Sequence, residues 1–300
     1  VKDYPNLANI PTYAWQGMGR IGGRIFGVPL ERPKPANSLF VNRTLLYEAG
    51  APVDWTQEQL LGTLSKLTTG NRYGTGWYKT LFGGLSAATY HAGALGAPNV
   101  WTVRDGAFVP AVATPQFEAA LGVMRQITEA RAHYPDSLTV SSTDMQNHFY
   151  NGTVASIPNG FGFLAPQTLA KIAGRFELGL ARPYSPAATP WLGAGMFGFV
   201  AFKKASPERL KLLLRVVNQL SAPFGTSEYE LNTYGVEGVH FTKDADGVRT
   251  TELYDTENTN LLPVRYIGTA PSVLYLPGAP AVAQAAYDWQ RSVLPRSVAN

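Results

Sequence analysis

The residue types that could carry chemistry are few and scattered. Four histidines (His91, His133, His148, His240) lie far apart, and no His-Glu-x-x-His pair occurs. There is no Gly-x-Ser-x-Gly elbow, which is the turn that exposes a nucleophilic serine. Zero cysteines exclude disulfides, thiolate metal sites and Cys nucleophiles within these residues. Carboxylates are present, but an acid/base pair is defined by its spatial separation and not by sequence spacing. Gly17-Met-Gly19-Arg-Ile-Gly22 and Gly193-Ala-Gly195-Met-Phe-Gly198 match a dinucleotide-binding pattern as strings. That pattern holds a pyrophosphate only between a strand and a helix N-terminus. The first runs into Gly23-Arg24-Ile25-Phe26-Gly27-Val28-Pro29, which cannot be a helix, and the second into a β-rich run, so no cofactor is expected.

The informative excess is aromatic. Trp, Tyr and Phe make up 12% of the 300 residues, and many stand among Gly, Pro and Thr. Sugar rings present apolar C–H faces that stack on such rings, while their hydroxyls require planar polar partners. Ordinary core packing is the competing reading for any single aromatic. Charged residues are 15%, below the usual quarter, and the net charge is only +4. The basic residues form no dense run, so a nucleic-acid partner is not expected. No apolar run reaches the roughly 18 residues of a membrane span. Val1-Lys2-Asp3-Tyr4-Pro5 is no signal peptide and reads as the middle of a domain.

The elements that must position these residues alternate between strand and helix, which argues for an α/β fold. Ser38-Leu39-Phe40-Val41 reads as a short buried strand. Thr56 with Gln59 forms a capping box ahead of Leu60, Leu61, Leu64 and Leu67 on one helical face. Residues 68–110 read as irregular and aromatic. Thr114-Pro115 opens a helix with Phe117, Leu121, Met124 and Ile127 at helical spacing. A shorter helix with Met145 and Phe149 leads into a strand at Val154–Ile157. Phe197–Phe202 reads as a strand, followed by a helix capped by Ser206 with Pro207 at its first position. Leu210, Leu213, Leu214, Val217 and Leu220 form its apolar stripe, and Asp246-Gly247 marks a hairpin.

Several segments, in order, resemble the sugar-type (family 1) extracellular solute-binding proteins of bacterial ABC importers. They are Gly23–Pro29; Leu39–Gly50 with Pro52 and Thr56–Leu60; Phe149-Tyr150-Asn151-Gly152-Thr153-Val154-Ala155; and Gly198–Arg209. Leu220–Tyr229 and Tyr234–Phe241 resemble the narrower branch of large Gram-positive lipoproteins. Relative to that family the chain is expected to be truncated at both ends. The resemblance implies a two-lobe periplasmic-binding-protein-like fold with an interlobe ligand cleft and an incomplete N-terminal lobe. It divides the chain into 1–38 plus 195–262 (N-terminal lobe), 39–194 (C-terminal lobe) and 263–300 (a crossing segment).

The function implied is capture of a carbohydrate, an oligosaccharide in particular, and its delivery to ABC permease subunits. The protein would be a monomer with no enzymatic activity and no cofactor. Its place would be extracellular or periplasmic, or at the cell surface through a lipid anchor on a missing N-terminal segment. Ligand contacts are expected from Trp15 before the first crossing and from Arg32 and Asn37 within it. Trp77, Tyr78 and Phe82 are expected near the inner region of the C-terminal lobe. Phe161 and Phe163 follow the Val154–Ile157 strand, and Trp191 and Phe197 flank the second crossing. Phe161, with Gly on both sides, is expected to face the ligand and to stack on a sugar. Some family members carry an acidic calcium loop after the capped helix. Here Thr68–Gly74 has no carboxylate, so no metal site is implied. A carbohydrate-active enzyme using a carboxylate pair, and a binder of a peptide or polyanion, are the alternative readings.

Overall fold

The structure is a computed structural model. It describes residues 3–18, 20–32, 38–51, 55–80, 86–164, 166–244, 247–258, 266–271 and 280–293. Chain contacts divide it into two compact units, Val1–Lys34 with Ala194–Ala283, and Pro35–Gly193 with Gln284–Asn300. The boundaries expected from the sequence are 38/39, 194/195 and 262/263. Residues 266–271, expected in a crossing segment, lie in the first unit, and the chain enters the second unit again only at Gln284.

The first unit holds α1 (Pro5–Ala8), α2 (Thr12–Met18) and β1 (Gly27–Glu31). β1 pairs antiparallel with β7 (Met196–Ala201), in register Gly27–Ala201 through Leu30–Gly198, with an irregularity before Glu31–Met196. Gly27 is required in that pairing, because a Cβ there would fall 2.7 Å from the Val200 carbonyl oxygen. α9 (Pro207–Leu220) starts as the sequence specifies: the Ser206 hydroxyl accepts from the Arg209 amide, and Pro207 needs no partner. Leu7, Ile10, Ala14, Val28 and Val217 form the small core. Of the stripe expected on α9, Val217 is buried while Leu210 remains 37% exposed. α10 (Ser227–Tyr234), the hairpin β8 (Phe241–Asp244) and β9 (Gly247–Thr250), and α11 (Glu252–Asn258) complete the unit. Asp246 of the expected turn lies outside the described residues.

The second unit is built on a three-stranded antiparallel sheet, ordered β5 (Ser156–Asn159), β2 (Ser38–Asn42) and β6 (Leu178–Ala181). The central strand β2 is buried throughout, as its unbroken apolar run requires. α3 (Arg43–Glu48), α4 (Gln57–Leu67) and α6 (Pro115–Glu129) supply the helical layer. The capping box of α4 is complete: Thr56 Oγ1 accepts from the Gln59 amide, and the Gln59 side chain accepts from the Thr56 amide. Thr114, by contrast, turns its hydroxyl back to the Ala111 carbonyl. Leu121, expected on the buried face of α6, is 50% exposed; Ala120, Val123, Met124 and Ile127 fill the core side instead.

Residues 68–110 are more regular than their composition suggests. They contain α5 (Ser86–Ala94) and the hairpin β3 (Trp101–Arg104) with β4 (Ala107–Pro110). α5 is small and buried almost all round, so it carries no polar face and no 3.6-residue signal. α7 (Ser142–Tyr150) leads into β5, a 3-10 turn spans Phe161–Leu164, and α8 (Pro166–Ile172) follows. α12 (Pro280–Val293) contributes its last turns, from Gln284 onward, to this unit. Trp289 on those turns is the anchor. Its Nε1–H donates to the Ala181 carbonyl of β6 at 3.2 Å, and its ring lies 5.1 Å from that of Phe161.

Candidate functional site

A small aromatic recess in the second unit is a candidate site. It is lined by Thr89, Tyr90, Gly93, Ala94, Pro183, Pro190, Trp191 and Trp289. Three pieces of chain make it: one face of α5, the segment after β6, and α12. The indoles are fixed from behind. Trp191 Nε1–H donates to the Ala97 carbonyl at 2.9 Å, as Trp289 Nε1–H does to Ala181. Both polar handles are therefore satisfied within the protein, and what the rings offer a ligand is apolar face.

Gly93 keeps the recess open. The Thr189 amide donates to the Gly93 carbonyl at 2.9 Å, tying α5 to the Trp191 segment. A Cβ at Gly93 would stand 3.4 Å from Cδ1 of Trp191, so a longer side chain there would grow against the indole. Behind the wall, His91 is 5% exposed, and its Nδ1 lies 2.9 Å from the Tyr184 hydroxyl. Burial pushes the His91 imidazole down to about 3, so it is neutral at physiological pH. Burial also pushes the Tyr90 and Tyr184 phenols upward, leaving them as hydrogen-bonding hydroxyls. Among the described residues the buried Tyr90 hydroxyl has no hydrogen-bond partner. Such a group costs free energy unless something completes it.

The expected ligand residues fall in several places. Trp191 lines the recess. Phe161 does not reach its lining: it is 2% exposed, packed between Phe40 (6.5 Å) and Trp289, as support beneath the indole. The Asn159 side chain accepts from the Gly160 amide and the 3-10 turn follows, which carries the Phe161 ring into the packing. Phe163 is 4% exposed, 4.8 Å from Phe40 and stacked on Tyr150. Trp77 is 2% exposed and stacked on His133 at 4.4 Å, and Tyr78 is half-buried. Asn37 and Phe82 lie outside the described residues.

In the first unit, Trp15 packs against the small core and is half-buried. Arg32 and Phe197 come together, the guanidinium 5.0 Å from the centre of the exposed ring, with Tyr266 5.7 Å from Phe197 on another side. Sequence reasoning missed Tyr90, Gly93, Tyr184 and Trp289. For Trp289 a signal existed: a lone Trp in an amphipathic helix near the end of the chain. Its partner Ala181, more than a hundred residues earlier, was beyond any local pattern.

Among the described residues, no group of three His, Asp or Glu side chains could hold a metal ion. No helix there is long and apolar enough to cross a membrane. The described lining of the recess contains no carboxylate and no imidazole, so it offers no acid/base pair for breaking a glycosidic bond.

This mixed α/β architecture is periplasmic-binding-protein-like. The alginate-binding protein AlgQ2 matches 97% of this chain over 62% of its own, with a TM-score of 0.63 at 14% identity. The maltose-bound MalE3 of T. maritima matches all of it over 68% of its own, with a TM-score of 0.62 at 18% identity. In sequence, the polygalacturonan/rhamnogalacturonan-binding protein YtcQ of Bacillus subtilis (strain 168) is 23% identical over 262 residues. That match takes in 82% of this chain, which spans about half (51%) of the curated relative. No protein-family model matches.

Proposed function

We propose that this chain is the ligand-binding part of a bacterial solute-binding protein that captures a carbohydrate, an oligosaccharide in particular, for an ABC importer. The observation that carries the reading is the small recess at which two indoles with satisfied N–H groups, Trp191 and Trp289, come together beside Gly93 and Tyr90. Apolar ring faces held rigidly from behind suit the C–H faces of a pyranose and release the ring intact. The similarity to proteins whose names specify polygalacturonan, alginate and maltose points the same way. So does the lack of carboxylates in the described lining, which argues for binding over hydrolysis. Trp191 and Trp289 are the stacking rings, and Phe161 is the support of Trp289. Arg32 and Phe197 of the first unit are further candidate ligand contacts. An extracellular or periplasmic location, cell-surface anchoring and delivery to permease subunits belong to the same proposal.

The test is intrinsic tryptophan fluorescence during titration with oligosaccharides. Two of the six tryptophans line the recess, so ligand entry should change the emission saturably. Gly93→Leu, which grows from α5 against the Trp191 indole, should abolish the change, with the melting temperature of the ligand-free variant reporting the cost of overpacking. A saturable signal unaltered in Gly93→Leu would remove the recess from the proposal.

A further inference from the structure

We infer that Arg32, Phe197 and Tyr266 of the first unit form a subsite for a uronate, a sugar ring that carries a carboxylate. The inference rests on the carbohydrate-binding reading above and deepens it, naming the saccharide's chemical class and the side chains that read it.

Phe197 owes its position to the backbone. In the β1–β7 ladder Leu30 pairs with Gly198 and Glu31 with Met196, so Phe197 is an extra residue with no partner on β1. It is the unpaired residue of a β-bulge, a device that bends a strand and re-aims a side chain. Its ring is 61% exposed. Beyond the bulge the two chains join again, because the Arg32 amide donates to the Gly195 carbonyl at 3.0 Å. That bond brings Arg32 alongside, with its guanidinium carbon 5.0 Å from the centre of the Phe197 ring. The distance is inside the roughly 6 Å within which a cation is drawn to a ring face. Tyr266 comes from a third piece of chain. Its ring centre lies 5.7 Å from that of Phe197 with the planes inclined by 38°, and the residue remains 46% exposed. Its segment is held against α9, where a Cβ at Gly268 would fall 3.0 Å from the Val217 carbonyl oxygen.

Each part has a chemical use. A guanidinium is a planar fork that meets a carboxylate through two parallel hydrogen bonds. Contact with a ring steadies that fork without consuming its N–H donors. Arg32 is itself exposed, and among the described residues no carboxylate pairs with it. The exposed surfaces of Phe197 and Tyr266 suit the C–H face of a pyranose. A neutral sugar would use the rings alone, and an inorganic anion the guanidinium alone. A uronate, with its carboxylate fixed on a pyranose, uses both.

Isothermal titration calorimetry on the protein tests this. The probes are oligogalacturonates and oligomannuronates, the same oligosaccharides after carboxyl reduction, and neutral gluco-oligosaccharides. Oligoglutamate supplies carboxylates without a sugar ring. The uronates should bind on the order of tenfold more tightly than their reduced counterparts, the worth of one charge-assisted hydrogen bond. Added salt should shrink that preference, since the guanidinium is exposed. Arg32→Gln should remove the preference and leave the reduced ligands unaffected. Phe197→Ala should weaken charged and reduced ligands, by about three- to tenfold. Both variants should melt as the parent does, because both side chains lie at the surface. Uronates binding no more tightly than their reduced counterparts would overturn the inference and leave the carbohydrate reading standing. So would a preference that survives Arg32→Gln, or oligoglutamate bound as tightly as the uronates. No binding by any glycan, charged or neutral, would bring down both.

Discussion

His91 ties the stability of the recess to pH. Its imidazole is buried beside Tyr184, and burial lowers its pKa from 6.5 to about 3. In the unfolded chain the ring takes up a proton near pH 6.5, while the folded protein resists until about pH 3. The unfolded state therefore binds more protons throughout that window, and stability falls as pH is lowered through it. Taking those two values, the loss between pH 7 and pH 5 is about 2 kcal/mol. Above pH 7 the ring is neutral in both states and contributes no slope. The perturbation is His91→Gln, which can still hydrogen-bond Tyr184 but cannot titrate. Urea unfolding at pH 7 and pH 5, for both proteins, is the assay. The variant starts less stable, yet its loss on acidification should be smaller by about 2 kcal/mol. His133, whose pKa burial also lowers, is present in both proteins and cancels in the difference. Equal losses in the two proteins, or an NMR titration placing the His91 ring near 6.5, would refute the reasoning. Because folded His91 stays neutral between pH 7 and pH 5, ligand affinity of the folded protein should not change over the same pH range.

Further outcomes follow from the packing. Phe161→Ala should lower the melting temperature markedly, because truncating a buried Phe costs about 3–5 kcal/mol, and it should weaken glycan binding through the loss of support for Trp289. Thr56→Ala removes one side of the α4 capping box and should cost about 1 kcal/mol in denaturant unfolding. Gly74→Ala would place a Cβ on the Leu64 backbone and should destabilise by about 1–3 kcal/mol. Gly93→Ala, by contrast, meets Trp191 at 3.4 Å and should leave stability unchanged or raised, since Ala is the better helix former.

Much of the scaffold was legible in the sequence because its signals are local. Ser206-Pro207 and Thr56 with Gln59 specify helix starts through neighbouring backbone amides, and the structure has both. The run Ser38–Val41 is continuous because β2 is buried from end to end. α5 was illegible for the opposite reason, since a helix buried all round by Ala, Gly, Tyr and His has no polar stripe to betray its period. Of the candidate recess, Trp191 alone is among the residues expected at a ligand from the sequence. Aromatic excess pointed to ring faces, and Trp191 does line the recess. But the glycines around Phe161 suggested exposure, whereas the turn they permit carries the ring inward onto Phe40. Trp289 became meaningful only once its bond to Ala181 joined segments remote in sequence.

The central claim is that the Tyr90–Trp191–Trp289 recess holds a saccharide ring without altering it. A crystal structure of the protein grown with an oligosaccharide that binds in calorimetry tests this most directly. The result expected is an intact ring lying on the face of Trp289 or Trp191. Saccharide bound elsewhere with the recess empty, or a shortened product in its place, would contradict it.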